Sequence, residues 1–229
     1  MPRRMLPLLM LVLWFWVGGA APVLAETEEA REAQKVVDRA ALTVERMKLD
    51  SNFVSDWAPR LARARAVLIV PSLIKAGFIL GGQYGNGVLM VRDPNGVFSD
   101  PAFYKMMAGS IGLQAGVQDA EAIFMIMTDK GLDAIMNNHF RAGADLSVAV
   151  FRGAGMGAGT TTNAGADVYA FSLTVGLFGG GAFEGAMIEP RTDWNNHYYN
   201  DLAALPPTIL IERRFINPGA TRLKELLGR

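Results

Sequence analysis

The hydrophobic period of this chain changes at Ala66, and that change limits the folds open to it more than any other feature. Upstream, in "EAREAQKVVDRAALTVERMK", Ala33, Val36, Val37, Ala40, Ala41, Val44 and Met47 recur at helical spacing, with the charged residues mostly elsewhere on the wheel. In "SNFVSDWAPRLARA", Phe53, Val54, Trp57, Ala58, Leu61 and Ala62 form a second stripe, and Pro59 predicts that this helix starts near Asp56 or bends there. Downstream, "AVLIVP", "AGFILGG" and "GVLMVRD" are short aliphatic runs punctuated by Pro71-Ser72, "GGQYGNG" and "DPNG", which predicts strands joined by turns. "FYKMMAGSIGLQAGVQ" and "AEAIFMIMTD" read as paired strands, "KGLDAIMNNHF" as a short helix, and "GADLSVAVF", "ADVYAFSLTVG" and "GGAFEGAMIE" as three more strands. The expectation is one α+β domain: a mainly antiparallel sheet of about six to eight strands with N-terminal amphipathic helices and short helices packed on it. Helices fall over 28–64, the sheet core over 66–190 and a tail over 200–229, ambiguous at Ile209 to Ile211 and ending in a short helix from about Gly219.

The glycine-rich stretch "AGFILGGQYGNGVLMVRD" is neither a membrane span nor a phosphate loop. No long apolar run survives Pro71, Lys75, Gln83, Asn86 and Arg92, and "GGQYGNG" leads into another strand-like run without a Gly-Lys-Ser/Thr ending. It reads as two strands and a glycine turn, with Gly81, Gly82, Gly85 and Gly87 permitting tight turns, positive φ or close backbone approach. "RGAGMGAGTTTNAGA", Arg152 to Ala166, has Ala158 at the third glycine position of a nucleotide fingerprint and no helix pattern after it, so it reads as a glycine loop.

The N-terminus carries Arg3 and Arg4, an apolar run from Met5 to Val17 and small residues ending Val23-Leu24-Ala25, the three regions of a secretory signal peptide over 1–25. The domain is then 26–229. Removing Arg3 and Arg4 from the 22 basic residues leaves about 20 against 22 acidic ones, so no global charge draws the chain to nucleic acid. There is no cysteine, which excludes disulfides, thiol catalysis and a cysteine-borne lipid anchor. An export signal on such a chain points to a bacterial envelope protein, periplasmic or peripheral at a membrane surface.

Catalytic constellations are scarce. His139 and His197 are far apart, each beside an asparagine pair, and Asp119 with Glu121 and Asp129 with Asp133 read as turn or helix-start residues. No metal-ligand motif, nucleophile motif or cofactor fingerprint is present, and the expectation is a protein that is not an enzyme and carries no metal or cofactor.

The order "RARAVLIVPSLIKAGFILGGQYGNGVLMVR", "GVFSDPAFYKMMAGSIGLQAGVQ", "ADVYAFSLTVGLFGGGAFEGAMIE" and "NNHYY" resembles the SYLF-domain family of lipid-binding proteins, over about Phe53 to Tyr199. Its most specific pieces are Pro71 to Gly87, Ser99-x-Pro101 and the block from Gly176-Leu177-Phe178 to Gly185. The resemblance implies a phospholipid-binding domain, with phosphoinositides the ligands of eukaryotic members and an actin link in some. In an exported protein the carry-over stops at a lipid or membrane surface. Two departures stand out: Phe98 where members commonly have tryptophan, and "AFSLTVGLF", with Ala170 and Phe171, in place of a run rich in tyrosine and serine.

Two segments are candidates for lipid contact. Arg60, Arg63, Arg65 and Lys75 are the densest basic cluster, beside Phe53 and Trp57; cations pair with lipid phosphates and an aromatic ring sits at headgroup level. The same arginines also fit the solvated face of a core helix. Leu177, Phe178 and Phe183 among glycines form either an apolar tip or core. The partner expected is phospholipid or a membrane surface. The rival reading is an interaction protein that forms homo-oligomers or binds an envelope protein.

Overall fold

The computed structural model describes residues 27–50, 53–77, 80–111, 116–137, 146–152, 165–172 and 186–228, with side chains set aside at 75–77, 80–81, 110–111, 116–118 and 150–152. The expected signal segment, His139, most of the Arg152–Ala166 loop and Leu177, Phe178 and Phe183 lie outside the described residues.

The first helix, α1 (Glu28–Leu49), starts where Thr27 accepts a hydrogen bond from the Ala30 N–H, with Glu28 and Glu29 in its first turn and Arg46 and Lys48 in its last. It buries the predicted alanine and valine stripe. Pro59 acts as expected of a residue without an N–H: a π turn at Phe53–Trp57 leads into α2 (Ala58–Arg63), which has the proline in its first turn. The predicted second stripe is only partly inward. Trp57 and Leu61 are buried, whereas Val54 and Ala62 face solvent.

Seven strands follow: β1 (Ala66–Gly77), β2 (Leu80–Val91), β3 (Ala102–Ile111), β4 (Gly116–Ile126), β5 (Val148–Arg152), β6 (Val168–Ser172) and β7 (Met187–Pro190). Their order in the sheet is β5-β6-β4-β1-β2-β3-β7, antiparallel except for the β5–β6 pair. Helix α3 (Asp129–Met136) follows β4, and α4 (Thr192–Tyr199), α5 (Pro206–Leu210), a 3₁₀ turn at Pro218–Ala220 and α6 (Thr221–Gly228) follow β7. One face of the sheet, called here the α1 face, packs Val67, Ile69, Val88, Met90, Phe103 and Ile123 under α1, α2, α4 and α6. The other, the α5 face, packs Leu68, Leu89, Tyr104 and Phe124 against α3 and α5. Helix α3 touches β7 across the sheet as well, so the sheet curls around the α5 face.

Three local expectations are corrected. Pro71-Ser72 is not a turn: β1 runs through it, and the pairing register slips there on both sides, between Ile69 and Ser72 toward β2 and between Val70 and Leu73 toward β4. A proline cannot donate to a ladder, and the bulge removes the need. "GGQYGNG" is not a turn either, since β2 passes straight through it. Close approach is what two of its glycines supply: a Cβ on Gly85 would lie 2.5 Å from the Ser72 carbonyl oxygen, and one on Gly87 2.5 Å from that of Ile69. Finally, β3 and β4 are not paired. β1 and β2 lie between them. "DPNG" does turn, with Gly96 at φ +85° and the Asp93 carboxylate accepting from the N–H groups of Asn95 and Val97.

Candidate functional site

The two ends of the central strands differ in what covers them. At the Ala66 end, β1, β2, β3 and β4 are buried on both faces. On the α1 face, Phe103 meets Trp194 and Tyr198 of α4 edge-on, at centroid distances of 6.0 and 4.8 Å. Asn195 of α4 accepts from the Phe103 N–H at 2.7 Å, which fixes that helix on β3.

Past the bulge the helices stop, and a ring of ion pairs marks their edge. Arg46, in the last turn of α1, holds Glu121 of β4 with two hydrogen bonds, one of them 2.9 Å. Lys105 of β3 pairs with Glu189 of β7 at 3.0 Å, its own register partner. Arg191, just before α4, pairs with Asp193 at 2.7 Å, lies 4.2 Å over the Trp194 ring and donates to Asn86 at 3.1 Å and the Tyr84 hydroxyl at 3.4 Å. The hydrogen bond from Arg191 holds the Asp193 carboxyl below its ordinary range, and Asp193 raises Arg191 in return. Ser72 donates to Asp119 at 2.8 Å. The three pairs balance in charge.

Beyond this collar no described helix covers the α1 face, and its described side chains are apolar except for Asp119, the register partner of Ile74. Ile74 pairs in register with Tyr84, Tyr84 with Met107, and Met107 with Met187, which makes one row across four strands. Ile74 is 46% exposed, Tyr84 43% and Met187 40%. The next row pairs Gly82 with Gly109, and a Cβ at either would meet nothing within 4 Å. On the opposite face, Gln83, between Gly82 and Tyr84, is buried. In β2 the alternation at this end thus sets Tyr84 outward and Gln83 inward. No sequence signal separates this row from core, because Ile74 and Tyr84 alternate as Ile69 and Val88 do.

Residues 107–229 match the model of the Ysc84 family, described as Las17-binding protein actin regulator. The chain belongs to the Ysc84 family. Among curated proteins it is similar to YSC84 of Saccharomyces cerevisiae, 29% identical over 171 residues, 73% of this chain and 36% of that protein. LAS seventeen-binding protein 3 of the same yeast is 29% identical over 145 residues, 62% of this chain and 31% of that one. The human SH3 domain-containing YSC84-like protein 1 is 26% identical over 141 residues, 61% of this chain and 41% of that one. The chain therefore spans about a third to two fifths of the length of these relatives. No solved structure matches.

The Ysc84 motifs themselves are mostly structural here. Ser99 Oγ accepts from the Val91 N–H at 3.0 Å and donates to the Asp100 carbonyl at 2.9 Å. The buried Asp100 carboxylate takes the Asn217 N–H at 2.9 Å and the Lys224 ammonium at 2.5 Å, and the Tyr199 hydroxyl donates to the Pro101 carbonyl at 2.7 Å. Ser99-x-Pro101 is the clasp that ties β2, α4 and the C-terminal helix together. The departures from the pattern are internal as well: Phe98 lies buried under the Arg92 guanidinium at 4.5 Å, and Ala170 and Phe171 are buried in β6.

The basic cluster read from the sequence comes apart. Arg60 bonds to the Asp56 carbonyl and lies 5.2 Å over the Tyr169 ring. Arg65 pairs with Asp129 at 2.7 Å, while Arg63 is exposed at the end of α2. Trp57 is buried in the core and stacks on Phe171 at 4.3 Å, so it cannot serve as the headgroup-level ring. Lys75 is no neighbour of the arginines: Arg65 adjoins the start of β1 and Lys75 is ten positions on, about 33 Å of strand. Of the carboxylates read as turn or helix-start residues, Asp119 accepts from Ser72, Glu121 pairs with Arg46, and Asp129 is the first residue of α3 and pairs with Arg65, with Thr128 capping that helix. No group of three or more metal-ligating side chains occurs among the described residues.

Proposed function

We propose that this chain is a non-enzymatic phospholipid-binding protein of the bacterial cell envelope that docks on a membrane through the bare end of its sheet. The observation that carries the reading is the row Ile74, Tyr84, Met107 and Met187 beyond a collar of ion pairs, with Ile74, Tyr84 and Met187 exposed and Met107 partly buried between them. Each of the three exposed side chains would gain about 1 kcal/mol on becoming fully buried, so the row supplies about 3 kcal/mol, enough for weak, reversible attachment. Tyr84 belongs to the apolar row while its hydroxyl reaches Asn86 and Arg191 of the collar, as aromatic rings with a polar tip do at the edge of a bilayer. No helix among the described residues is long and apolar enough to cross a membrane, which fits attachment by a surface. The three ion pairs of the collar balance and Asp119 adds one negative charge, so attachment needs no anionic lipid and Arg63 adds only a salt-sensitive supplement. The export signal and the SYLF resemblance support the setting and the ligand class.

The test is flotation with vesicles of bacterial phospholipid, at low salt and at about 0.5 M salt, where surface charge is screened within a few ångströms. Binding survives salt and falls at least tenfold in the double variant Ile74→Asp, Tyr84→Asp. Binding lost in salt, or unchanged in the double variant, sinks the reading. Concentration-dependent oligomers that the same variant dissolves, without vesicle binding, would instead mark the row as an interface between copies.

A further inference from the structure

The row that docks on the membrane ends, at the edge of the sheet, in two methionines. Met187 belongs to β7, the last strand on that side, and pairs in register with Met107 of β3. The chain has 12 methionines and no cysteine, so thioethers are its only sulfur and its softest groups toward an electrophilic oxygen. Burial sorts those that the structure describes. Met47, Met90, Met106 and Met125 are at most 1% exposed, and Met127 and Met136 are partly buried against the two cores. Met107 is partly buried in the row, and Met187 is 40% exposed. The sharpest contrast is between chain neighbours. Strand alternation turns Met106 into the curl and Met107 outward to the row, so the fold shields one sulfur and offers the next.

We propose that Met187, followed by Met107, is an oxidation site through which a peroxide releases the protein from the membrane. The inference rests on the docking reading and adds a means of regulating it. In the reaction with hydrogen peroxide a sulfur lone pair attacks one peroxide oxygen and the O–O bond breaks. The attacked oxygen passes its proton to the departing hydroxide, which leaves as water, and the sulfur, two electrons poorer, is a sulfoxide. That group is polar and a strong hydrogen-bond acceptor, and the apolar interior of a bilayer offers it no donor. Ile74, at the other end of the row, has no sulfur and keeps its share of the attachment, so oxidation weakens binding rather than abolishing it. The step is reversible. A methionine sulfoxide reductase returns the thioether, with the oxygen leaving as water and two thiols becoming a disulfide.

The test treats the purified protein with hydrogen peroxide, maps each sulfoxide by peptide mass spectrometry, and floats the product with vesicles of bacterial phospholipid. Met187 gains oxygen ahead of the other described methionines and Met107 follows, while Met106 reacts at least about tenfold more slowly than Met187. Vesicle binding falls about fivefold as Met187 converts, and methionine sulfoxide reductase restores it. Met187→Gln, polar and of similar length, binds about fivefold more weakly with no oxidant present. In the double variant Met107→Leu, Met187→Leu, peroxide leaves binding where it stood before treatment, because leucine keeps the apolar bulk without the sulfur. Wild-type protein that carries the Met187 sulfoxide and floats as well as untreated protein overturns the proposal and leaves docking intact. A double variant that peroxide releases as it does the wild type also overturns it. Untreated protein that does not float sinks the docking reading and the release site together. If the double variant does not fold, recovery of wild-type binding by the reductase decides.

Discussion

Ile69 and Ile74 belong to one strand, both on the α1 face, and lie in two different environments. Ile69 is fully buried beneath α1, with Val88 and Ile123 as its cross-strand neighbours. Ile74 is half exposed, with Tyr84 on one side and Asp119 on the other. The bulge at Pro71 separates them. What the contrast teaches is that one continuous sheet is built as two devices: a half that is stable because helices cover it, and a half whose apolar face is left for something else to cover.

The contrast breaks most sharply under truncation of the two isoleucines. Ile69→Ala removes buried methylenes in a packed core and costs about 4 kcal/mol, while Ile74→Ala costs under about 1 kcal/mol, read from midpoints of urea unfolding. Equal costs would mean that the far end is as well packed as the near one. A smaller effect, still large, comes from the joint between the halves. Gly85→Ala drives a Cβ into the Ser72 carbonyl, a backbone atom that cannot swing aside, and costs about 3 kcal/mol, or about 6–12 °C in Tm. Gly82→Ala, three residues away in the open row, changes stability by less than about 0.5 kcal/mol.

The near half was legible in the sequence and the far half was not, and the reason is physical. Helical periodicity marked α1 and α3 because their buried stripes are regular, and Pro59 marked the start of α2. Periodicity says which residues share a face, not whether another element covers that face, so nothing in the pattern sets Ile74 and Tyr84 apart from core. Pro71-Ser72 looks like a turn by composition; only the partner glycines, Gly85 and Gly87, make room for a bulge there, and that is a long-range fact. Helix α4, "TDWNNHYY", escaped notice because asparagine, histidine and aromatic residues are weak helix formers; Trp194 and Tyr198 hold it by packing on Phe103. Arg60, Arg63, Arg65 and Lys75 looked like a cluster since sequence distance ignores the length of an extended strand.

The smallest effect belongs to the collar, and its direction follows from Asp193. The hydrogen bond from Arg191 lowers the folded-state pKa of this carboxyl, with a smaller opposing push from burial. A depressed pKa contributes stability above the unfolded value, about 3.9, and that contribution is lost as pH falls through the folded value. Because the Asp193 side chain is 52% exposed, screening keeps the pair well under 1 kcal/mol. Asp193→Asn therefore flattens the fall in Tm below about pH 4 slightly, leaves Tm near pH 7 almost unchanged, and loses its effect in about 0.5 M salt. The contacts around Ile69 are apolar and give no such salt dependence. If acid sensitivity stays the same in Asp193→Asn, the collar is an ornament of the bare end; if it falls, the ion pairs help hold the boundary where the helices stop and the open sheet begins.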